Sequence, residues 1–249
     1  MLLAVDIGNS AIKFGLFDGD TLTSRFSIPT KRDATVDDIR HTVGDRLDSS
    51  VNAVIVCTVV PQIETAMRAF LLATTCVQPT FIDNSFDFGL KINYEPRESL
   101  GTDRLVNAFA AVAKYGAPCI VCSLGTATTI DAVSSDREFL GGVIAPGMDA
   151  MAEALHLKAP TLPKIEISKP ERVVGSSTGR SIRSGVYYGY VAMVEGLITR
   201  LCSESGVSRV VGTGGNAAIF STDLARIVTV DSDLTLSGLR LLSRQAARL

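Results

Sequence analysis

The feature that most constrains this chain is that it repeats itself. At an offset of 117 residues, the separation of Gly8 and Gly125, Leu16 falls on Val133 and Pro29 on Pro146. LLAVDIGNSAIKFGLF then overlays CIVCSLGTATTIDAV as an apolar run, a small-residue turn and a second apolar run. Matched element order over such a distance is the signature of a duplicated unit. The first half reads as strands LLAVD, AIKFGLF and LTSRFSI, with an Asp18-Gly19 hairpin turn between the last two. A helix over 36–47 follows, capped by Asp37 and Asp38 near its start. Then come the strand NAVIVCTVV, a helix opened by Pro61 and a strand near TFID. The second half returns to this order with FLGGVIA, the helix PGMDAMAEALHL, the runs SRVVGTGG and RIVTV, and a helix to the C-terminus. The expectation is an α/β chain of two duplicated domains, 1–116 and 117–249. Each has a mixed five-stranded sheet with helices, and a cleft lies between them.

Composition narrows what such a chain can do. With 249 residues, 46% of them hydrophobic, it can bury one or two ordinary cores. Lys and Arg number 24 against 26 Asp and Glu, so no charge excess points to nucleic acid or an anionic membrane. No apolar run approaches the roughly 18 to 20 residues of a membrane span, and MLLAVD meets Asp6 too early for a signal peptide. The chain reads as cytoplasmic. Five cysteines suit no disulfide framework. Cys119 and Cys122 form a Cys-x-x-Cys inside an apolar strand, where residues three apart face opposite ways, so the pair reads as structural. The two histidines, His41 and His156, have no neighbours that would make a zinc site or a triad.

Three stretches can carry chemistry. In DIGNS a carboxylate ends an apolar strand beside a glycine turn. Asp6 could hold magnesium there, with Asn9, Ser10 and Lys13 beside it, although a polar hairpin alone reads the same. GTATT, from Gly125, is the matching turn, where Thr126 could donate a hydroxyl to a phosphate. Turns of this kind present backbone N–H groups to anions, and two of them could hold one nucleotide. GTDRLVNAFAAVAKYG reads as a helix from Arg104, apolar at Leu105, Val106, Phe109, Val112 and Ala113, and closed by Gly116. Thr102 or Asp103 is then its N-cap. Asp103 and Arg104 are either a surface pair or a general base and a guanidinium fork for a substrate carboxylate. The polar segment from Gly175 to Gly185 reads as a loop that could bring Thr178 over a substrate, and VGTGG at 211–215 as a strand end open to an adenosine.

DIGNS, NYEPRESLGTDR, GTATTID, GGVIAPG and GTGGNA occur in an order and spacing that resemble the type III pantothenate kinases across essentially the whole chain. The resemblance implies two ribonuclease-H-like domains of the actin-like ATPase kind. It implies transfer of the ATP γ-phosphoryl group to the primary hydroxyl of pantothenate, the first step toward coenzyme A. By the same resemblance Asp103 is the general base and Arg104 binds the pantothenate carboxylate. Tyr94, Gly101, Thr102 and Thr178 line the substrate pocket, with Thr178 coming from the partner in a homodimer. ATP is held by Asp6, Ile7, Gly8, Asn9, Ser10, Ala11, Ile12, Lys13 and Thr126, with magnesium at Asp6, directly or through water. One position departs from the pattern: the family has Asp where this chain has Ser123, the repeat partner of Asp6. That residue helps bind a monovalent cation, potassium or ammonium, and a neutral hydroxyl cannot supply the same field. Weak or absent potassium activation is the expectation. Two other readings stay open on the residues: a kinase for another small hydroxy acid, or a nucleotide-binding regulator with little turnover.

Overall fold

The apolar runs that open the two halves become central strands, because each is flanked by a strand on either side. The computed structural model describes residues 1–47, 50–220 and 222–246. Its strands are β1 Leu2–Ile7, β2 Ala11–Asp18, β3 Thr21–Pro29, β4 Ala53–Thr58, β5 Thr80–Ile82, β6 Lys91–Ile92, β7 Cys119–Leu124, β8 Ala127–Val133, β9 Glu138–Pro146, β10 Val210–Thr213 and β11 Thr229–Val230. Its helices are α1 Val36–Val43, α2 Pro61–Thr75, α3 Thr102–Tyr115, α4 Met148–Lys158, α5 Thr178–Ser205, α6 Ala217–Phe220 and α7 Leu234–Ala246.

The repeat is real in topology. The first sheet runs β3-β2-β1-β4-β5, and the same order recurs as β9-β8-β7-β10-β11. In each, the first three strands pair antiparallel and the last two join in parallel. Parallel pairs need a crossover, and the helix before β5, α2, supplies one. The chain falls into two compact units, residues 1–114 with 233–249, and residues 115–232. The last helix therefore packs with the first unit, not with the half that precedes it in sequence: α7 lies against β1, β2 and β4. Its approach to α3 is close. A Cβ on Gly238 would stand 2.9 Å from Ala110 Cβ and Val106 Cγ1, so only glycine lets the two helices meet there.

In the first unit Leu3, Val5 and Ile7 point into a core with Phe14, Val54, Val56, Met67 and Phe70. Strand alternation turns Ala4 and Asp6 to the other face, the side where α7 crosses. In the second unit Ile120, Cys122 and Leu124 pack with Tyr187, Tyr190 and Phe220. There Thr128 and Tyr190 share a buried hydroxyl–hydroxyl bond of 2.7 Å, worth about 1 kcal/mol.

Several local expectations shift. The N-cap of α1 is Thr35, not an aspartate. Its hydroxyl accepts from the Asp38 N–H, and the Asp38 carboxylate accepts from the Thr35 N–H. This capping box fixes the start, and the helix ends at Val43 rather than near Leu47, with a 3-10 turn after it. Helix α3 begins at Thr102, and the Gly101 carbonyl accepts from Arg104 and Leu105, so Gly101 takes the cap position given to Thr102 or Asp103. The segment from Gly175 is a loop only to Ser177, which caps α5. Thr178 is the first residue of a helix of 28 residues. The expected C-terminal helix runs to Ala246, and residues 247–249 lie outside the described ones. All five cysteines are free. Burial pushes the Cys119 thiol up to about 11 and Cys122 to about 12, which keeps both unreactive near neutral pH.

Candidate functional site

Strand register assembles the charged group of the first unit. Asp6, next to last in β1, faces Lys13 on β2 and Cys57 on β4 as register partners. Side chains at one register level share a face, and Lys13 Nζ stands 3.8 Å from Asp6 Oδ2. Asp6 is 8% exposed. Burial raises its pKa to about 6; the Lys13 ammonium pulls it down and the Asp103 carboxylate pushes it up. The repulsion shows that the start of α3 brings Asp103 into the field of Asp6. Asp103 is itself raised, chiefly by burial, against hydrogen bonding from the Arg104 N–H, the Arg104 charge and Lys13. The Cys57 thiol is pushed well up by burial and by both carboxylates. Two carboxylates, Asp6 and Asp103, share a desolvated place with the Lys13 ammonium, and the Arg104 charge acts on Asp103. That donor set fits a bound cation, which would relieve the repulsion.

The first turn of α3 is shaped around Asp103. Its Oδ1 accepts from the Arg104 N–H at 2.9 Å. A Cβ on Gly101 would come within 2.6 Å of that same oxygen. Glycine at 101 therefore leaves the carboxylate its place. Arg104 is buried, only 5% exposed. Its guanidinium lies over the Tyr94 ring, 5.5 Å from the centroid, and Nη1 approaches the Tyr94 hydroxyl at 3.5 Å. Burial of a guanidinium is costly without a partner, and stacking on tyrosine offsets part of that cost. Thr102 is buried beside it.

The glycine turn after β1 is closed by the Gly8 N–H donating to the Ala11 carbonyl at 3.1 Å. Asn9 and Ser10 are exposed on the turn, while Ile7 and Ile12 are in the core. In the second unit the Gly125 N–H donates to the Ala127 carbonyl, also at 3.1 Å. Ser123 pairs in register with Thr129 and Thr213, so three hydroxyls stand where the first unit has Asp6, Lys13 and Cys57. Thr126 is exposed. Thr178 lines a groove of about 810 Å³ beside α4 and α5, with Met151, Leu155, Leu162, Ile182 and Val186.

Two residues to which the sequence assigned no role support the first unit's site. Asn84 Nδ2 donates to the carbonyls of Arg97 and Leu100, at 3.0 and 3.4 Å, and Arg97 Nε donates back to the Asn84 carbonyl at 3.0 Å. These bonds tie down the segment between Tyr94 and Gly101. Asn107, one helical turn after Asp103, accepts from Thr235 Oγ1 at 2.7 Å in a buried contact, fastening α3 to α7. An Asn in a polar loop and an Asn on an amphipathic helix carry no sequence signal of such roles.

Comparison with known proteins decides what this geometry belongs to. The family model described as type III pantothenate kinase matches residues 2–200. The chain belongs to the type III pantothenate kinase family. A relative from Brevibacillus brevis carrying that name is 40% identical over 249 residues, covering 97% of this chain and 98% of its own. Solved structures share the fold at low identity. One is a conserved Campylobacter jejuni protein put forward as a Baf family transcriptional activator, with a TM-score of 0.62 and 19% identity, covering 99% of this chain and 100% of that one. Another is a ROK family glucokinase from Streptomyces griseus in complex with glucose and AMPPNP, with a TM-score of 0.53 and 13% identity over 98% and 99%. The duplicated sheets are thus those of the actin-like, sugar-kinase fold.

Proposed function

We propose that this chain passes the γ-phosphoryl group of ATP to the primary hydroxyl of pantothenate, giving 4'-phosphopantothenate and ADP, with Asp103 as the general base. The observation that carries the assignment is the Asp103 carboxylate, desolvated, raised in pKa and given room by Gly101. A raised pKa makes a carboxylate a better proton acceptor near neutral pH. The proton of the attacking hydroxyl goes to Asp103. The hydroxyl oxygen forms a bond to the γ-phosphorus as the bond to the bridging β–γ oxygen breaks, and ADP leaves. The rest of the work is positioning and charge neutralisation.

Arg104 binds the pantothenate carboxylate, since a guanidinium fork beside the base suits an acid substrate. Its burial against Tyr94 holds the fork in one direction. Tyr94, Gly101 and Thr102 line that pocket. Asp6, Ile7, Gly8, Asn9, Ser10, Ala11, Ile12 and Lys13 form the first phosphate turn, and Thr126 serves ATP from the second. Asp6 would hold magnesium, directly or through water, and the ion would supply neutralising charge to the phosphates. Ser123, with Thr129 and Thr213 at its register level, offers hydroxyls in place of a charge. Monovalent-cation activation is weak or absent on this reading.

A homodimer, with Thr178 of the partner subunit reaching pantothenate, is supported by exposed apolar side chains near α4 and before α5. Leu157 is 67% exposed and Val174 82%. Exposed groups of this kind mark surfaces that take a partner. Among the described residues no helix is long and apolar enough to cross a membrane, and the cytoplasm is the proposed compartment. An ADP-release assay across pantothenate, small hydroxy acids and sugars tests the proposal. Turnover with pantothenate well above every other acceptor is expected. Preference for a neutral sugar would remove Arg104's role, and nucleotide binding without turnover would leave a regulator.

A further inference from the structure

The turn after β1 is held from behind by a residue that no motif contains. Thr30 follows the last residue of β3. Its Oγ1–H donates to the Gly8 carbonyl at 2.7 Å and its N–H donates to the Ser10 carbonyl at 3.0 Å. A trans peptide is planar, with C=O and N–H pointing in opposite directions. Pinning the Gly8 and Ser10 carbonyls on Thr30 therefore turns the N–H groups of Asn9 and Ala11, which complete the same two peptide units, to the opposite side. Two N–H groups presented together from one turn are a binding feature for an anion. Next along the chain, Arg32 reaches Asn9 Oδ1 at 3.4 Å, a long contact on the same turn.

The second unit repeats the brace. The residue 117 positions after Thr30 is Gly147, and its N–H donates to the Thr126 carbonyl at 3.0 Å. A Cβ there would stand 2.1 Å from the Gly125 carbonyl oxygen, so the second copy braces with backbone alone. The first copy adds a hydroxyl and holds two carbonyls where the second holds one. We infer that Thr30 is a positioning residue for the phosphate turn, aligning the Asn9 and Ala11 N–H groups on the phosphates of the nucleotide. This rests on the proposal that ATP binds at the first turn.

The test uses the full-length protein and three substitutions at this position, with Gly8→Val as a control that blocks the turn itself. Thr30→Val keeps the shape and removes the hydroxyl. It should raise the ADP dissociation constant and the ATP KM roughly 3- to 10-fold, the range expected for one lost hydrogen bond. The pantothenate KM should stay within about two-fold, and Thr30→Ser should restore nucleotide affinity. Thr30→Ala carries the same expectation should valine distort the strand end. If Thr30→Val and Thr30→Ala bind ADP like wild type while Gly8→Val does not, the brace is overturned and the ATP site stands. If Gly8→Val also binds normally, the ATP reading of the turn fails and the brace with it. Equal rises in both KM values without rescue by serine would mark a general structural effect and overturn the inference.

Discussion

The two halves of this molecule carry the same sheet and different chemistry. At one register level the first unit has Asp6, Lys13 and Cys57, and the second has Ser123, Thr129 and Thr213 at the corresponding positions. Backbone geometry was duplicated with strand order intact. Charge was not. The first unit adds a second carboxylate, Asp103, through α3, and its charge adds to the cost of ionising Asp6, while burial raises Asp103 itself. The second unit buries aromatic rings and satisfies its polar atoms with hydroxyl bonds such as Thr128 to Tyr190. At that level one unit holds a buried acid whose ionisation is disfavoured by desolvation and a nearby carboxylate; the other holds hydroxyls.

Substitutions can break this comparison in decreasing order of effect. Asp6→Asn should cut turnover the most short of the base itself, by about 10²- to 10³-fold, on the scale of losing one preorganised electrostatic contact. The same substitution should stabilise the ligand-free protein. The Asp6 pKa is about 6 when folded against 3.8 as its ordinary value. The folded state thus favours the protonated form. Wild-type stability from this group is full below pH 4 and falls as pH rises through about 6. Linkage makes the difference about 3 kcal/mol at pH 8. Thermal melts at pH 4 and pH 8 check it: the asparagine variant should gain at pH 8 and lose that gain at pH 4. A gain independent of pH would contradict the charge conflict.

Arg104→Ala comes next. Losing charged hydrogen bonds to a carboxylate should raise the pantothenate KM by about 1.5–3 kcal/mol, with the ATP KM little changed. Steady-state kinetics in both substrates reads this directly, and an unchanged pantothenate KM would take Arg104 out of the site. Ser123→Asp gives the smallest effect and sharpens the comparison most. It puts a carboxylate at the level where the second unit has hydroxyls. Potassium activation, proposed to be weak in the wild type, should rise several-fold in a salt-matched titration against sodium. Strong potassium activation of the wild type would show that hydroxyls suffice there.

Much of this was legible in the sequence, for physical reasons that differ from residue to residue. The order of elements along the chain and its recurrence followed from the 117-residue repeat, because apolar runs separated by small-residue turns mark the strands; the order of strands within each sheet came only with the structure. Asp103 and Arg104 were visible because a charged pair opening an apolar helix is a conspicuous pattern. Long-range packing was not. That α7 returns to the first unit depends on Gly238 meeting Val106 and Ala110, a contact no local pattern encodes. Thr35, the N-cap of α1, was passed over in favour of the neighbouring aspartates because acids in a first turn are the stronger sequence signal. Asn84, Asn107 and Thr30 act by hydrogen bonds to residues far along the chain, and polar residues of their kind look the same when they do nothing.

The central claim is that the carboxylate at the start of α3 takes the proton from the acceptor alcohol. Asp103→Asn keeps the shape and removes the base, and its kcat with pantothenate measured beside its ADP affinity is the direct test. The account predicts a kcat lower by roughly 10²- to 10⁴-fold with nucleotide binding near wild type. A variant within a few-fold of wild-type kcat would show that Asp103 only shapes the helix start, and would contradict it.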